Sequence, residues 1–360
     1  MTTRTDSTKK LLSTVAKLAV SGLLLGYLGW MAAGDPQFAE LVAGPKNWPV
    51  LLLTLPVCLA AVTITILRWH LLIRTLGLRF SIRETLRAGF LGYLANLLPF
   101  GLVAGDSLKA VMLIHRNSRR KTEAVTAVFV DRVLGLYALL LLAAIASFLL
   151  PAEQLARLAD ADRTAIIRLC WVVQTAALLC SMGLVVMLIP AVTRSRLWDL
   201  LEHAPLVGPI LHKLVAAMRA YRQRVDLLLA AIGVSLVIHL LYCTAILIMT
   251  RSIGIAAEYR PSPGSIFVIV PPSMIAGALP LGFYEVAITL LFRAASPDGA
   301  PPNMGLLIAL GYRLIQISIA TIGMGYWLAG RSEVRELMHE AEELPPTNGI
   351  DDYAKGAPIM

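Results

Sequence analysis

Apolar residues in this chain fall in runs of twenty or more positions that carry almost no charge. Six such runs predict full spans at about 11–33, 47–72, 123–150, 165–190, 226–250 and 304–330, each able to cross roughly 30 Å of hydrocarbon as α-helix. Two further apolar regions do not read as simple spans. Residues 83–115 hold two short pieces, Ala88 to Leu98 and Ser107 to Ile114, divided by Pro99-Phe100-Gly101 and Gly105-Asp106. Residues 264–293 hold Ser265 to Val270 and Phe283 to Phe292, divided by Pro271-Pro272, Gly277, Pro280 and Gly282. Each piece is too short to cross alone.

Composition agrees with the pattern. Of 360 residues, 57% are hydrophobic and 15% charged, and the mean hydropathy is +0.72. These values disfavour a soluble enzyme, a nucleic-acid binder and a secreted disulfide scaffold. Cys58, Cys170, Cys180 and Cys243 all lie in apolar segments and read as small core hydrophobes with no disulfide or metal role. The apolar run that follows Lys9-Lys10 extends to Ala33, longer than the core of a signal peptide, so it reads as a retained first span.

The net charge of +9 becomes informative once it is located. If both broken regions enter and leave on the same side, residues 1–10, 73–122, 191–225 and 331–360 hold 21 Lys and Arg. The opposite segments, 34–46, 151–163, 251–263 and 296–303, hold 5. Such a bias places both termini in the cytoplasm and makes both broken regions re-entrant, because a full crossing by either would swap the later loops and erase it.

The chain then reads span, span, broken hairpin, span, twice over. Three crossings in each part force the second to be inverted relative to the first. Leu98-Pro99-Phe100-Gly101 answers Leu279-Pro280-Leu281-Gly282, and each is followed by an acid, Asp106 and Glu285. Pro99 precedes Arg132 by 33 residues, and Pro280 precedes Arg313 by the same 33. The fold class expected is an all-α polytopic membrane protein of two inverted-topology repeats, each with three spanning helices and one re-entrant broken-helix hairpin. Residues 1–150 form the first repeat, 151–330 the second, and 331–360 an acidic cytoplasmic tail. Secondary transporters use this plan, with the substrate site near midplane where the repeats meet.

A helix broken inside the membrane leaves N–H and C=O groups that hydrocarbon cannot satisfy, so the break must line a wet cavity or meet protein or ligand. The positive half-helix ends, near Asp106 and Phe283, suit an anionic group such as a lipid phosphate. Arg132 and Arg313 lie deep in their spans, where a charge costs roughly 2.5–3.5 kcal/mol and demands a partner. They read either as phosphate ligands, donating two parallel hydrogen bonds, or as buried glue paired with Asp131, Asp106 or Glu285. Asp106 and Glu285 read equally as helix caps, as contacts for a cationic headgroup, or as carriers of a coupling proton. Lys109 is either a partner for Asp106 or a second phosphate contact.

Other polar features have plainer readings. Arg68-Trp69-His70 reads as snorkelling and aromatic-belt chemistry near a span end. His239, mid-span, reads as a hydrogen bond to a neighbouring helix. The basic run His115 to Lys121 serves orientation and attraction to anionic lipid. Residues 191–225 read as an interfacial amphipathic helix, and the end of the tail as disordered. No Cys/His metal spacing, P-loop, GxSxG or HExxH motif is present.

The stretches Asn96-Leu97-Leu98-Pro99, Gly105-Asp106-Ser107-Leu108-Lys109 and Asp131-Arg132-Val133-Leu134-Gly135 share one pattern with Leu279-Pro280-Leu281-Gly282-Phe283-Tyr284-Glu285 and Tyr312-Arg313. Together they resemble the lysylphosphatidylglycerol synthase transmembrane-region family, over roughly residues 10–330. The resemblance implies lipid translocation between leaflets of the cytoplasmic (inner) membrane, with Asn96, Asp106, Lys109, Asp131, Arg132, Glu285, Tyr312 and Arg313 lining the path. It does not imply aminoacyl transfer, because the synthases carry a large soluble domain after the spans and only about thirty residues follow here. The family's Gly-Gly-Asp is Ala104-Gly105-Asp106 here, its downstream Arg is Lys109, and its Pro-Gly-Gly-Leu-Gly is Ala278-Leu279-Pro280-Leu281-Gly282.

The expectation is therefore a lipid flippase with a membrane phospholipid as substrate, no catalytic residue, no cofactor, no metal and no nucleic-acid partner. The alternatives are a membrane-embedded transferase or hydrolase acting on a lipid or polyprenyl-phosphate headgroup, and a proton-coupled carrier of a small solute. A homodimer is compatible with the sequence, which leaves the oligomeric state open.

Overall fold

Hydrocarbon offers no hydrogen-bond partner, so a chain this apolar must close its backbone bonds inside each segment, as helices do. In the computed structural model every regular element among the described residues is helical. The structure describes residues 36–97, 103–150, 152–189, 224–279 and 282–330, with Leu23, Gly26, Gly29, Trp30, Gly34 and Tyr221. Most of the expected first span, most of the 191–225 connection, Pro99, Pro280 and the 331–360 tail lie outside the described residues.

The elements in chain order are α1 (Pro36–Ala43), α2 (Trp48–Leu52), α3 (Thr54–Thr75), α4 (Ile82–Asn96), α5 (Val103–Arg116) and α6 (Lys121–Phe148). After them come α7 (Ala152–Leu155), α8 (Asp160–Leu188), α9 (Val225–Ser252), a 3-10 turn at Ala257–Tyr259, α10 (Pro263–Ala276), α11 (Phe283–Ala295) and α12 (Met304–Ala329). Five stretches are long and apolar enough to cross a membrane: Trp48–Thr75, Lys121–Phe148, Asp160–Val186, Val225–Ser252 and Met304–Ala329. They fall within five residues of the expected spans.

The arms of both broken regions are short, and side-chain bonds show where the first one begins and ends. Glu84 near the start of α4 meets Arg116 at the end of α5, 3.2 Å apart. Asn117 accepts the Arg79 N–H at 2.9 Å and donates to the Arg79 carbonyl at 3.1 Å. The α4–α5 hairpin therefore returns to the end it left. Arg120 donates to the Gly77 carbonyl at 3.1 Å, so α3 ends and α6 begins beside that mouth. Likewise Pro263 and Ser265 of α10 and Ala295 of α11 line one hollow. Helices α3 and α9 run antiparallel: the Asn47 N–H reaches the Ser252 carbonyl at 2.8 Å, and the Tyr221 hydroxyl donates to the Leu72 carbonyl at 3.1 Å.

The helices interlock across the middle of the chain. Helix α4 packs on α12, α10 packs on α6, and α3 packs on α9. The α4–α5 hairpin is closed by two glycines, because a side-chain carbon on Gly105 would run into the Gly92 carbonyl and the Asn96 side chain. Gly323 of α12 likewise lets the Phe90 backbone of α4 come close. Helix α8 packs on α6 and α11 and shows Trp171, Val172, Leu178 and Leu179 outward.

Three expectations need correction. Pro271-Pro272 does not break its region: α10 runs through both prolines to Ala276. They remove two N–H donors but keep a helical φ, and contacts to α6, α9 and α11 hold the rod. Gly105-Asp106 is no break either, since it lies in the first turn of α5. Of the cysteines, Cys58 and Cys243 are buried but Cys180 is exposed on α8, which meets its neighbours along only part of its surface.

Replacing Gly105 with Ala should lower the thermal midpoint of the purified protein, since forced repacking costs about 1–3 kcal/mol. Gly183→Ala on α8, where nothing stands within 4 Å, should not lower it and should raise it slightly, since alanine is favoured over glycine inside a helix. The hairpin mouth should also respond to acid. Burial pushes the Glu84 carboxyl upward, but backbone and hydroxyl bonds from Ser81 and the charge of Arg116 outweigh it and hold the pKa below its ordinary 4.5. A depressed carboxylate stabilises the fold above its unfolded pKa and loses that contribution as pH falls through the folded value. Amide exchange at the mouth should accordingly rise below pH 4.5 in the native chain but not in Glu84→Gln.

Candidate functional site

A cavity of about 230 Å³ opens between α3, α4, α5, α6 and α9, with Met274 of α10 and Ala278 beyond it closing one wall. Its polar lining includes Asn96, Asp106, Lys109, Asp131, Arg132 and His239. Local sequence explains how α5 presents its charges. Its first turn is aimed by Asn96, whose Oδ1 accepts the Gly105 N–H at 3.0 Å. Asp106 then stands in that turn, where a carboxylate suits the helix dipole. Lys109, one turn on, lies 3.5 Å from Asp106 Oδ1 and 5.6 Å from the centre of the Trp69 ring. Arg132 approaches the same carboxylate from α6 at 3.8 Å.

Two cations thus share one carboxylate, at separations longer than a good charge-assisted hydrogen bond. The Arg132 side chain is 34% exposed and Asp106 23%, so the group is open to the cavity rather than sealed. What remains is a positive excess inside an apolar bundle.

Asp131 is used differently. Its Oδ1 accepts from Arg68 Nε at 2.9 Å, its carbonyl accepts from Arg68 Nη2 at 3.0 Å, and Arg68 Nη1 donates to Ser235 Oγ at 2.5 Å. One guanidinium on α3 therefore ties α6 to α9. Gly135 lies alongside it, where a Cβ would stand at ordinary contact distance from Nη2. The snorkelling reading of Arg68-Trp69-His70 is overturned: Arg68 is 5% and Trp69 1% exposed, because Asp131 supplies inside the bundle the partner that water would supply at its edge. His239 Nε2 meets the Gly135 carbonyl at 3.0 Å, the inter-helix bond expected of it.

The later acid and arginine also meet. Arg313 donates through Nε to Glu285 Oε1 at 3.0 Å, and its Nη2 binds the same oxygen. Glu285 Oε2 accepts the Gly282 N–H at 3.2 Å, capping α11 where Gly282 takes a left-handed φ of 103°. Both carboxylate oxygens are engaged. Tyr312 packs against Tyr242 and Tyr284 at ring separations of 6.4 and 5.5 Å. The structure thus brings Asn96, Asp106, Lys109, Asp131 and Arg132 around one cavity, while Glu285, Tyr312 and Arg313 are not in its lining.

Arg68, Tyr93, Ser235 and Tyr242 were not singled out for this region by sequence. The one available signal was the depth of Arg68 in its span, seven residues from the end of α3. No group of three His, Cys, Asp or Glu suited to a metal occurs among the described residues.

The model of the lysylphosphatidylglycerol synthase transmembrane region matches residues 14–323, most of the chain. The protein belongs to this family. No curated protein and no solved structure matches it. As a member of the lysylphosphatidylglycerol synthase transmembrane-region family, with five helices of spanning length among its described residues, it is a multi-pass membrane protein of a lipid-linked family.

Asp131→Asn should strand the Arg68 charge and cost about 3–5 kcal/mol. Arg68→Met combined with Asp131→Leu should be more stable than either single variant, read as a double-mutant cycle of unfolding midpoints in detergent.

Proposed function

We propose that this protein carries a phospholipid headgroup between the leaflets of the cytoplasmic membrane and releases the lipid chemically unchanged. The observation that carries the reading is the excess positive charge of Arg132 and Lys109 over Asp106 in a cavity inside an apolar bundle. A phosphate offers more acceptor oxygens than the one carboxylate those cations share loosely, and a guanidinium meets it with two parallel bonds. Such a site replaces water around the headgroup while the acyl chains stay in lipid, which lowers the desolvation cost that makes unassisted transfer slow.

The basic hairpin mouth near Arg79 and Arg116 faces the cytoplasm by the distribution of Lys and Arg, and both termini lie on that side. The recurrence of an acid–arginine contact, Asp106 with Arg132 and Glu285 with Arg313, supports two related halves that meet around the path. In the present arrangement the first pair is open to the cavity and the second closed on itself.

The test is reconstitution in liposomes carrying a fluorescent phospholipid, read by chemical bleaching of the outer leaflet. The native protein should raise transfer above empty vesicles, Arg132→Gln should return it to that level with an unchanged thermal midpoint, and mass spectrometry should recover unmodified lipid. A rate equal to empty vesicles across anionic, zwitterionic and aminoacylated lipids overturns the proposal, as does a lipid product of altered mass.

A further inference from the structure

The end of the molecule opposite the basic hairpin mouth is poor in positive charge. Segments 34–46, 151–163, 251–263 and 296–303 hold only Lys46, Arg157, Arg163, Arg251 and Arg260. Two of these are occupied locally: Lys46 Nζ donates to the carbonyls of Val42 and Gly44 at 2.5 and 2.9 Å, and Arg163 pairs with Asp160. The other three, drawn from separate parts of the chain, line one hollow of about 340 Å³.

Each arrives by a different element. Arg157 follows α7, Arg251 stands in the last turn of α9, and Arg260 closes the 3-10 turn. Arg260 Nε donates to the Ile255 carbonyl at 2.6 Å, which fixes its guanidinium at the hollow. Arg157 and Arg251 are exposed, with no hydrogen-bond or ion-pair partner among the described residues. Glu258 is the one carboxylate in the lining, so positive charge is in excess.

Helix α10 begins in the same wall. Ser262 Oγ accepts the Ser265 N–H at 3.0 Å, and the two hydroxyls lie 2.9 Å apart. The positive end of a fourteen-residue helix adds to the field of the guanidiniums. The last turn of α9, the first of α10 and the end of α11 bracket the hollow, which places it at helix ends, where a spanning helix leaves the hydrocarbon for the headgroup layer. It shares no lining residue with the central cavity.

We propose that this hollow is a second binding site, selective for a phosphate group, carried either by an anionic phospholipid of the adjacent leaflet or by a soluble phosphate ester. Three guanidiniums that line one hollow with a single carboxylate repel one another, and an anion with several oxygens relieves that repulsion. The site does not depend on transport through the central cavity.

The experiment uses the full chain in detergent, with Arg157→Gln/Arg251→Gln as the test variant and Arg132→Gln as the comparison. Native mass spectrometry counts retained phosphatidylglycerol against phosphatidylcholine, and calorimetry measures binding of glycerol 3-phosphate. The expected result is that the double variant keeps one phosphatidylglycerol fewer per chain than the native protein, and that adding the double substitution to Arg132→Gln removes one lipid in the same way, whatever the occupancy of the central cavity. Loss of glycerol 3-phosphate binding with unchanged lipid retention assigns the site to a soluble ester. If neither probe distinguishes the double variant from the native protein, the proposal is overturned. Should the double variant fail to fold, each single substitution should weaken whichever probe binds by about tenfold, and unchanged affinity in both singles overturns it equally.

Discussion

A guanidinium buried between membrane helices must be matched by protein, because no solvent is there to do it. Arg68 meets that demand with two helices at once, giving two nitrogens to Asp131 on α6 and one to Ser235 on α9. Isolated, either ion would be costly in hydrocarbon. Together they specify which face of α6 meets α3 and α9, a degree of specification that apolar side chains supply poorly when the surrounding lipid is equally apolar. The central cavity lies beside this junction and depends on it, since Arg68, Asp131 and Gly135 are part of its wall.

The charges that face the cavity follow from the hairpin. Short arms would expose unsatisfied backbone at their inner ends, and Asn96 answers this by accepting the Gly105 N–H while α4 and α5 touch through glycine. Asp106 is thereby presented to Lys109 and Arg132 without being enclosed by them. In the later hairpin the same types of residue end in a different state: Glu285 spends one oxygen on the start of α11 and the other on Arg313. Similar sequence has produced one pair that is available to a ligand and one that is committed to structure.

Sequence made the spans legible because a bilayer imposes a length on apolar runs, and the helix ends fall where the charges resume. It also exposed the hairpins, since an acid and a breaker within a short apolar piece have no stable place in a straight crossing. Partners were not legible. Asp131 is adjacent to Arg132 in the chain, yet successive helix residues point about 100° apart, and Asp131 turns to α3 while Arg132 turns to α5. The reach of Arg68 to Asp131 on one helix and Ser235 on another is a coincidence in space that no run of residues displays. The prolines at 271 and 272 misled for a related reason: tertiary packing holds a helical path that local propensity disfavours.

Those two prolines carry a consequence for rigidity. With no N–H at 271 or 272, the carbonyls of Phe267 and Val268 cannot receive their usual bonds from four residues ahead. Elsewhere a membrane helix that flexes must give up hydrogen bonds into a medium that cannot replace them. In α10 that forfeit has already been made at two carbonyls, so the arm that walls the cavity at Met274 leans on its neighbours α6, α9 and α11, more than on its own backbone, to keep its shape.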